Sequence, residues 1–74
     1  MRIDDAMQHA AERHGVALED VMGPRRFGEL VAARWEGWAL ARDNGHSFAA
    51  IARSSGVDHT SVMHGVKKYQ EQQR

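Results

Sequence analysis

The stretch from His46 to Tyr69 constrains this chain more than any other, because it spells two helices joined by a short glycine-containing turn. His46-Ser47-Phe48-Ala49-Ala50-Ile51-Ala52-Arg53 is a short amphipathic run with Ser47 as its N-cap. Ser54-Ser55-Gly56-Val57 interrupts it, and Gly56 can take the positive φ that a tight interhelical turn needs. Asp58 is a strong N-cap type whose carboxylate can accept a hydrogen bond from the backbone N–H of Thr60 or Ser61. Val62, Val66 and Tyr69 then recur at helical spacing and mark a buried face. At about 100° per residue this leaves Thr60, Ser61, His64, Lys67 and Lys68 outside, with His59 at their edge. Phe48, Ile51, Val57 and Val62 are expected to lock the two helices at a fixed angle.

Helix, turn and capped second helix form the grammar of a helix-turn-helix, whose second helix enters a DNA major groove. The outer set suits that use. Short polar groups at the helix start match base edges, and cations further along match phosphates. An ordinary αα-hairpin in a small bundle fits the same periodicity, and such hairpins outnumber DNA readers. The pattern alone leaves both readings open.

The rest of the chain reads as helix without strand. Residues 3–13 carry the apolar stripe Ile3, Ala6, Met7 and Ala10, ended by Gly15, and a short turn of helix follows over 18–22. Gly23-Pro24 marks a firm break. Residues 27–43 form the longest helix, with Val31, Trp35 and Trp38 on one stripe and Ala33, Gly37 and Leu40 on another. A helix apolar on more than one side is surrounded by protein, so this one is the expected central strut. Gly37 weakens it by about 1 kcal/mol relative to alanine, which implies that another helix crosses closely there. Trp38 is expected in the core. Core filling is also the favoured expectation for Trp35, the alternative being a partly exposed aromatic at a contact surface. The expected architecture is a single all-α domain over 1–74, with four to five helices and a helix-turn-helix at 47–71.

Several function classes drop out. Without cysteine there is no disulfide or thiolate metal site. His9/His14 and His59/His64 are each five apart, so their members project about 140° apart on a helix and cannot share a metal ion. There is no glycine-rich phosphate loop, nucleophile elbow or carboxylate pair, so an enzyme is not expected, and nothing asks for a cofactor. No apolar run approaches the roughly 20 residues that span a bilayer, and Met1–Asp5 lacks the apolar core of a signal peptide, so the expected location is the cytoplasm. The net charge of +0 conceals a polarity. Residues 1–23 hold two arginines against five Asp/Glu, and residues 24–74 hold eight Lys/Arg against five. A neutral molecule can thus present a basic face, though one that neutralises few phosphates.

Asp58-His59-Thr60-Ser61-Val62-Met63-His64 resembles the signature of the C-terminal DNA-binding domain of the bacterial replication initiator DnaA, usually Asp-His-Thr-Thr-Val-Leu-His. Ile3-Asp4, Leu18–Met22, Arg25-Arg26 and Ala39–Arg42 fall in the order and near the spacing of that domain, so the resemblance runs from about Ile3 to Lys68. It implies an all-α, Trp-repressor-like fold that binds double-stranded DNA. By resemblance, Arg26 with Arg25 beside it enters the minor groove, Arg34 meets the DNA backbone, and Asp58, His59, Thr60, Ser61 and His64 form the major-groove set, with Lys67 and Lys68 on phosphates. Phe48, with Ala49, replaces a Leu-Pro pair at the start of the motif and is counted with the DNA-facing residues. Ala33 replaces a proline, and Ser61 keeps the hydroxyl of the family's second threonine but loses its methyl. With its own Met1 and no Gly-x-x-x-x-Gly-Lys-Ser/Thr motif, the chain is expected to be a free-standing, nucleoid-associated relative that regulates replication initiation or transcription without ATPase activity. The alternative is a protein-interaction module that kept the fold and lost DNA binding. A protein partner or weak self-association, through Trp35 and the acidic first helix, belongs to either reading.

Overall fold

The computed structural model describes residues 1–25 and 28–73. It contains α1 (Ile3–His14), α2 (Leu18–Val21), α3 (Gly28–Asp43), α4 (Phe48–Ser55) and α5 (His59–Gln72), with no strand among the described residues. The all-α expectation and the order of its five pieces hold. Helix ends differ by a residue or so, as they do whenever the last turn frays.

Local chemistry sets the boundaries. The Ser47 hydroxyl accepts the Ala50 N–H at 3.0 Å and opens α4. Gly56, at φ 68°, closes it in the left-handed region, where its N–H and that of Val57 both return to Ala52 O. α4 continues through Ser54 and Ser55 and breaks only at Gly56, so the interruption read from the sequence is real but starts two residues later.

α3 is the strut, touching each of the other four helices. The largest wholly buried side chains come one from each of those helices: Met7 from α1, Val21 from α2, Ile51 from α4 and Val62 from α5. Each burial is worth roughly 1.5–3 kcal/mol, so this small core has four independent anchors on one support. Gly37 is the close crossing expected for it. A Cβ there would lie 2.5 Å from Met7 Sδ and 3.3 Å from Met7 Cα, so α1 sits against bare α3 backbone. Trp38, 4% exposed, is in the core as expected.

Two expectations about packing fail. Val57 is 38% exposed and does not lock the motif, because the left-handed turn at Gly56 swings it outward. Ile51 and Val62, both at 0%, do that work. Trp35 packs against the core but stays half-buried, short of the full core filling expected for it. A third feature was not anticipated, namely that the carboxylate of Glu36 lies buried in the α1–α3 contact. Arg13 Nε meets one oxygen at 2.8 Å and His14 Nε2 the other at 3.1 Å, while His14 Nδ1 faces Glu29 at 3.2 Å. Burying a carboxylate is tolerable only with such partners.

Candidate nucleic-acid interface

The first turn of α5 is the most open polar surface of the motif. Asp58 holds the extended conformation of an N-cap, at φ −73° and ψ 146°, and its carbonyl accepts the Ser61 N–H at 3.0 Å. Its carboxylate does not make the expected bond to Thr60 or Ser61 N–H. Oδ1 lies instead 3.2 Å from His59 Nδ1, and the helix start has no side-chain cap. His59, Thr60, Ser61, His64, Lys67 and Lys68 are all exposed, while Val62 and Val66 are buried, as helical periodicity requires. Lys68 Nζ is 3.9 Å from Glu71 Oε2, a loose surface pair, and Lys67 forms no ion pair among the described residues.

What seats this helix is a glycine that the sequence reading passed over. A Cβ on Gly65 would lie 2.5 Å from Trp35 Cδ1 and 2.7 Å from Trp38 Cε3. Only a bare Cα lets α5 settle flat on the two indoles. Trp38 is fixed in turn by its Nε1–H, which donates to Ser55 Oγ at 3.1 Å. Trp35 meets His64 edge to face, with ring centroids 6.2 Å apart and planes at 80°. The signal was available in the sequence: Gly65 follows Val62 by three residues and so lies on the buried face of its helix.

The second open element is the loop after α2. Pro24 and Arg25 are exposed. Arg26, expected beside Arg25 as the minor-groove arginine, lies outside the described residues. Arg34, expected at the DNA backbone, is half-buried on α3 and turned toward this loop. Its Nε donates to Val21 O at 2.7 Å and its Nη2 to Gly23 O at 2.8 Å and Arg25 O at 2.9 Å, with Asp20 O further off at 3.4 Å.

Between the loop and α5 runs a cleft of about 480 Å³. Gly23 and Pro24 form one wall, Thr60, Ser61 and His64 the other, and Trp35 lies with them along its lining. The loop leading to Arg25 and three of the expected α5 residues therefore share one surface, which Arg34 also lines. Phe48 stands apart from the cleft at the start of α4, half-buried beneath the Arg42 guanidinium, which lies 4.5 Å from the ring centroid. No group of three or more His, Asp or Glu able to hold a metal ion exists among the described residues, and no described helix is long and apolar enough to cross a membrane.

Residues 3–68 match the model of a family described as the bacterial dnaA protein helix-turn-helix. The chain is similar to the chromosomal replication initiator protein DnaA of Cereibacter sphaeroides (strain ATCC 17029), at 34% identity over 71 residues, which is 93% of this chain and 16% of that protein. It is also similar to the chromosomal replication initiator protein DnaA of Thermomicrobium roseum, at 42% identity over 69 residues, 89% of this chain and 15% of that protein. The chain thus spans about a sixth of the length of these relatives. No solved structure matches it.

Proposed function

The chain belongs to the bacterial DnaA helix-turn-helix family, and from that premise we propose that it is a sequence-specific double-stranded DNA-binding protein acting in replication initiation or its control. α5 enters the major groove, where His59, Thr60 and Ser61 present donors and acceptors to base edges. The Arg25-Arg26 loop enters the adjacent minor groove, where arginine is drawn to narrow A·T-rich segments. Lys67 and Lys68 lie further along α5, where cations hold phosphates, and His64 borders the cleft over which the intervening strand passes. Asp58 starts the helix beside His59, and Phe48 stands at the edge of the DNA-facing surface.

The observation that carries this reading is the shared cleft. Gly23 and Pro24, just before Arg25, and Thr60 and Ser61 in the first turn of α5 are nearly forty residues apart in sequence, yet they line a single opening. These 74 residues contain no ATP-binding motif, so what they contribute is recognition: occupying a site, competing for it or recruiting another protein to it. One small domain with a modest basic surface binds a single site weakly, so useful affinity calls for paired sites or a helper.

Zero net charge favours a second reading, a protein-interaction module that kept the fold and lost DNA affinity. Fluorescence anisotropy at physiological salt separates the two. An initiator-type box is expected to bind tighter than a scrambled duplex. Preference for another sequence would retain DNA reading and discard initiator boxes, and equal indifference to every duplex would favour the interaction module.

A further inference from the structure

α2 is only four residues long, so its last carbonyls have no intrahelical partner. Pro24, just beyond, has no N–H to give. Asp20 O still takes the Gly23 N–H at 3.2 Å, but no described backbone N–H reaches Val21 O, Gly23 O or Arg25 O, so these carbonyls draw donors from elsewhere. Arg34 supplies them. One guanidinium, anchored on the second turn of α3, reaches the carbonyls of Val21, Gly23 and Arg25 within 2.9 Å and that of Asp20 at 3.4 Å. A planar fork can hold several carbonyls at set angles, whereas an ammonium acts as a single point charge. Charge-assisted bonds of this kind are also stronger than neutral ones.

We propose that Arg34 is the positioning residue of the minor-groove arm. It moulds the Asp20–Arg25 backbone so that the loop meets the DNA in a fixed shape. Its contribution to DNA binding runs through that loop and not through a phosphate of its own. The inference rests on the DNA-binding reading above and adds the device that prepares one of its two reading elements. A loop ordered in advance loses less conformational freedom on binding. The Nε and Nη2 donors already given to carbonyls are not available to a phosphate.

The test uses Arg34→Lys and Arg34→Gln in the full chain, with two measurements. The first needs no DNA. Limited trypsin digestion reports opening around Arg25 and Arg26, since cleavage follows the population of the open form. Both variants are expected to be cut there about tenfold faster, as for a local opening, with no comparable gain at Arg42 or Arg53. Unchanged cleavage at Arg25 and Arg26 overturns the proposal whatever DNA does. Faster cleavage at every site marks global unfolding, and Arg34→Lys, which keeps the charge and the stem, then carries the comparison.

The second measurement is anisotropy on an initiator-type box and on the same box with its A·T pairs exchanged for G·C. Both variants are expected to lose discrimination between the two. Adding Arg34→Gln to Arg25→Ala/Arg26→Ala is expected to cost less than about twofold more, because residues acting through one element are not additive. A phosphate-holding Arg34 would behave differently and sink the idea. Arg34→Lys would match the parent, Arg34→Gln would weaken every duplex with a salt slope lower by about 0.9, and the effects would add. A parent chain indifferent to all duplexes would instead overturn the DNA-binding reading and the role claimed within it, leaving digestion to decide whether Arg34 moulds the loop.

Discussion

Where α3 meets α1, the buried carboxylate of Glu36 is engaged by Arg13 and His14 and the helices touch through Met7 and Gly37; where α3 meets α5, two indoles lie under Gly65 and the polar groups of α5 point away from the protein. Charge on the first side is satisfied internally. On the second, the hydroxyls, imidazoles and ammonium groups stay exposed, with only surface pairs to Asp58 and Glu71. The contrast divides the work of one helix: its α1 side holds the domain together, and its α5 side supports the exposed surface proposed to meet DNA. Stability and recognition are therefore expected to respond to different substitutions.

The largest effect is expected on the α1 side. Met7→Ala empties the space against Gly37 and costs about 2–5 kcal/mol of stability, which for a domain of this size lowers Tm by roughly 10 °C or more. Thermal unfolding followed by circular dichroism checks it. The folded fraction is expected to keep its DNA affinity, and a loss there would show that the two sides are coupled.

Gly65→Ala attacks the boundary between them. Alanine favours a helix interior over glycine by about 1 kcal/mol, yet its methyl would press into two indole rings that cannot yield as a flexible chain end can. Overpacking wins, at a net cost of about 1–3 kcal/mol. Because α5 must lift off Trp35 and Trp38, specific binding is expected to fall with stability. A stabilised Gly65→Ala would mean that the helix seats elsewhere.

On the open surface the pattern reverses. His59→Ala and Thr60→Ala are expected to leave Tm nearly unchanged, within the range of about ±0.5 kcal/mol for surface sites. Each would cost specific binding about 1–3 kcal/mol and spare non-specific binding. Equal losses on box and scrambled duplex would remove these residues from base reading. Lys67→Ala is expected to give the smallest change, a few-fold loss on every duplex with the salt slope reduced by about 0.9. An unaltered slope would take Lys67 off the phosphate backbone.

What the sequence determined by itself lies within one or two helical turns. Ser47 and Gly56 bracket α4, Asp58 starts α5, and Val62 and Val66 turn inward while Thr60, Ser61 and His64 stay out, because caps and the 3.6-residue period act over three or four residues. The exposed surface of the candidate site was legible for that reason. What only the three-dimensional structure decided is each group's choice of partner and facing, between neighbours as well as across the fold. Asp58 looked like a complete cap, yet its carboxylate turned to His59, a choice between two local acceptor geometries that composition does not rank. Val57 looked like core until the turn faced it outward. Glu36 is buried because Arg13 and His14 arrive from another helix. Arg34 reads in the sequence as one more cation, but the fold gives its guanidinium to a loop 9 to 14 residues away. A side chain's polarity is written in the sequence, whereas its partner is chosen by which backbone the packed helices bring within 3 Å.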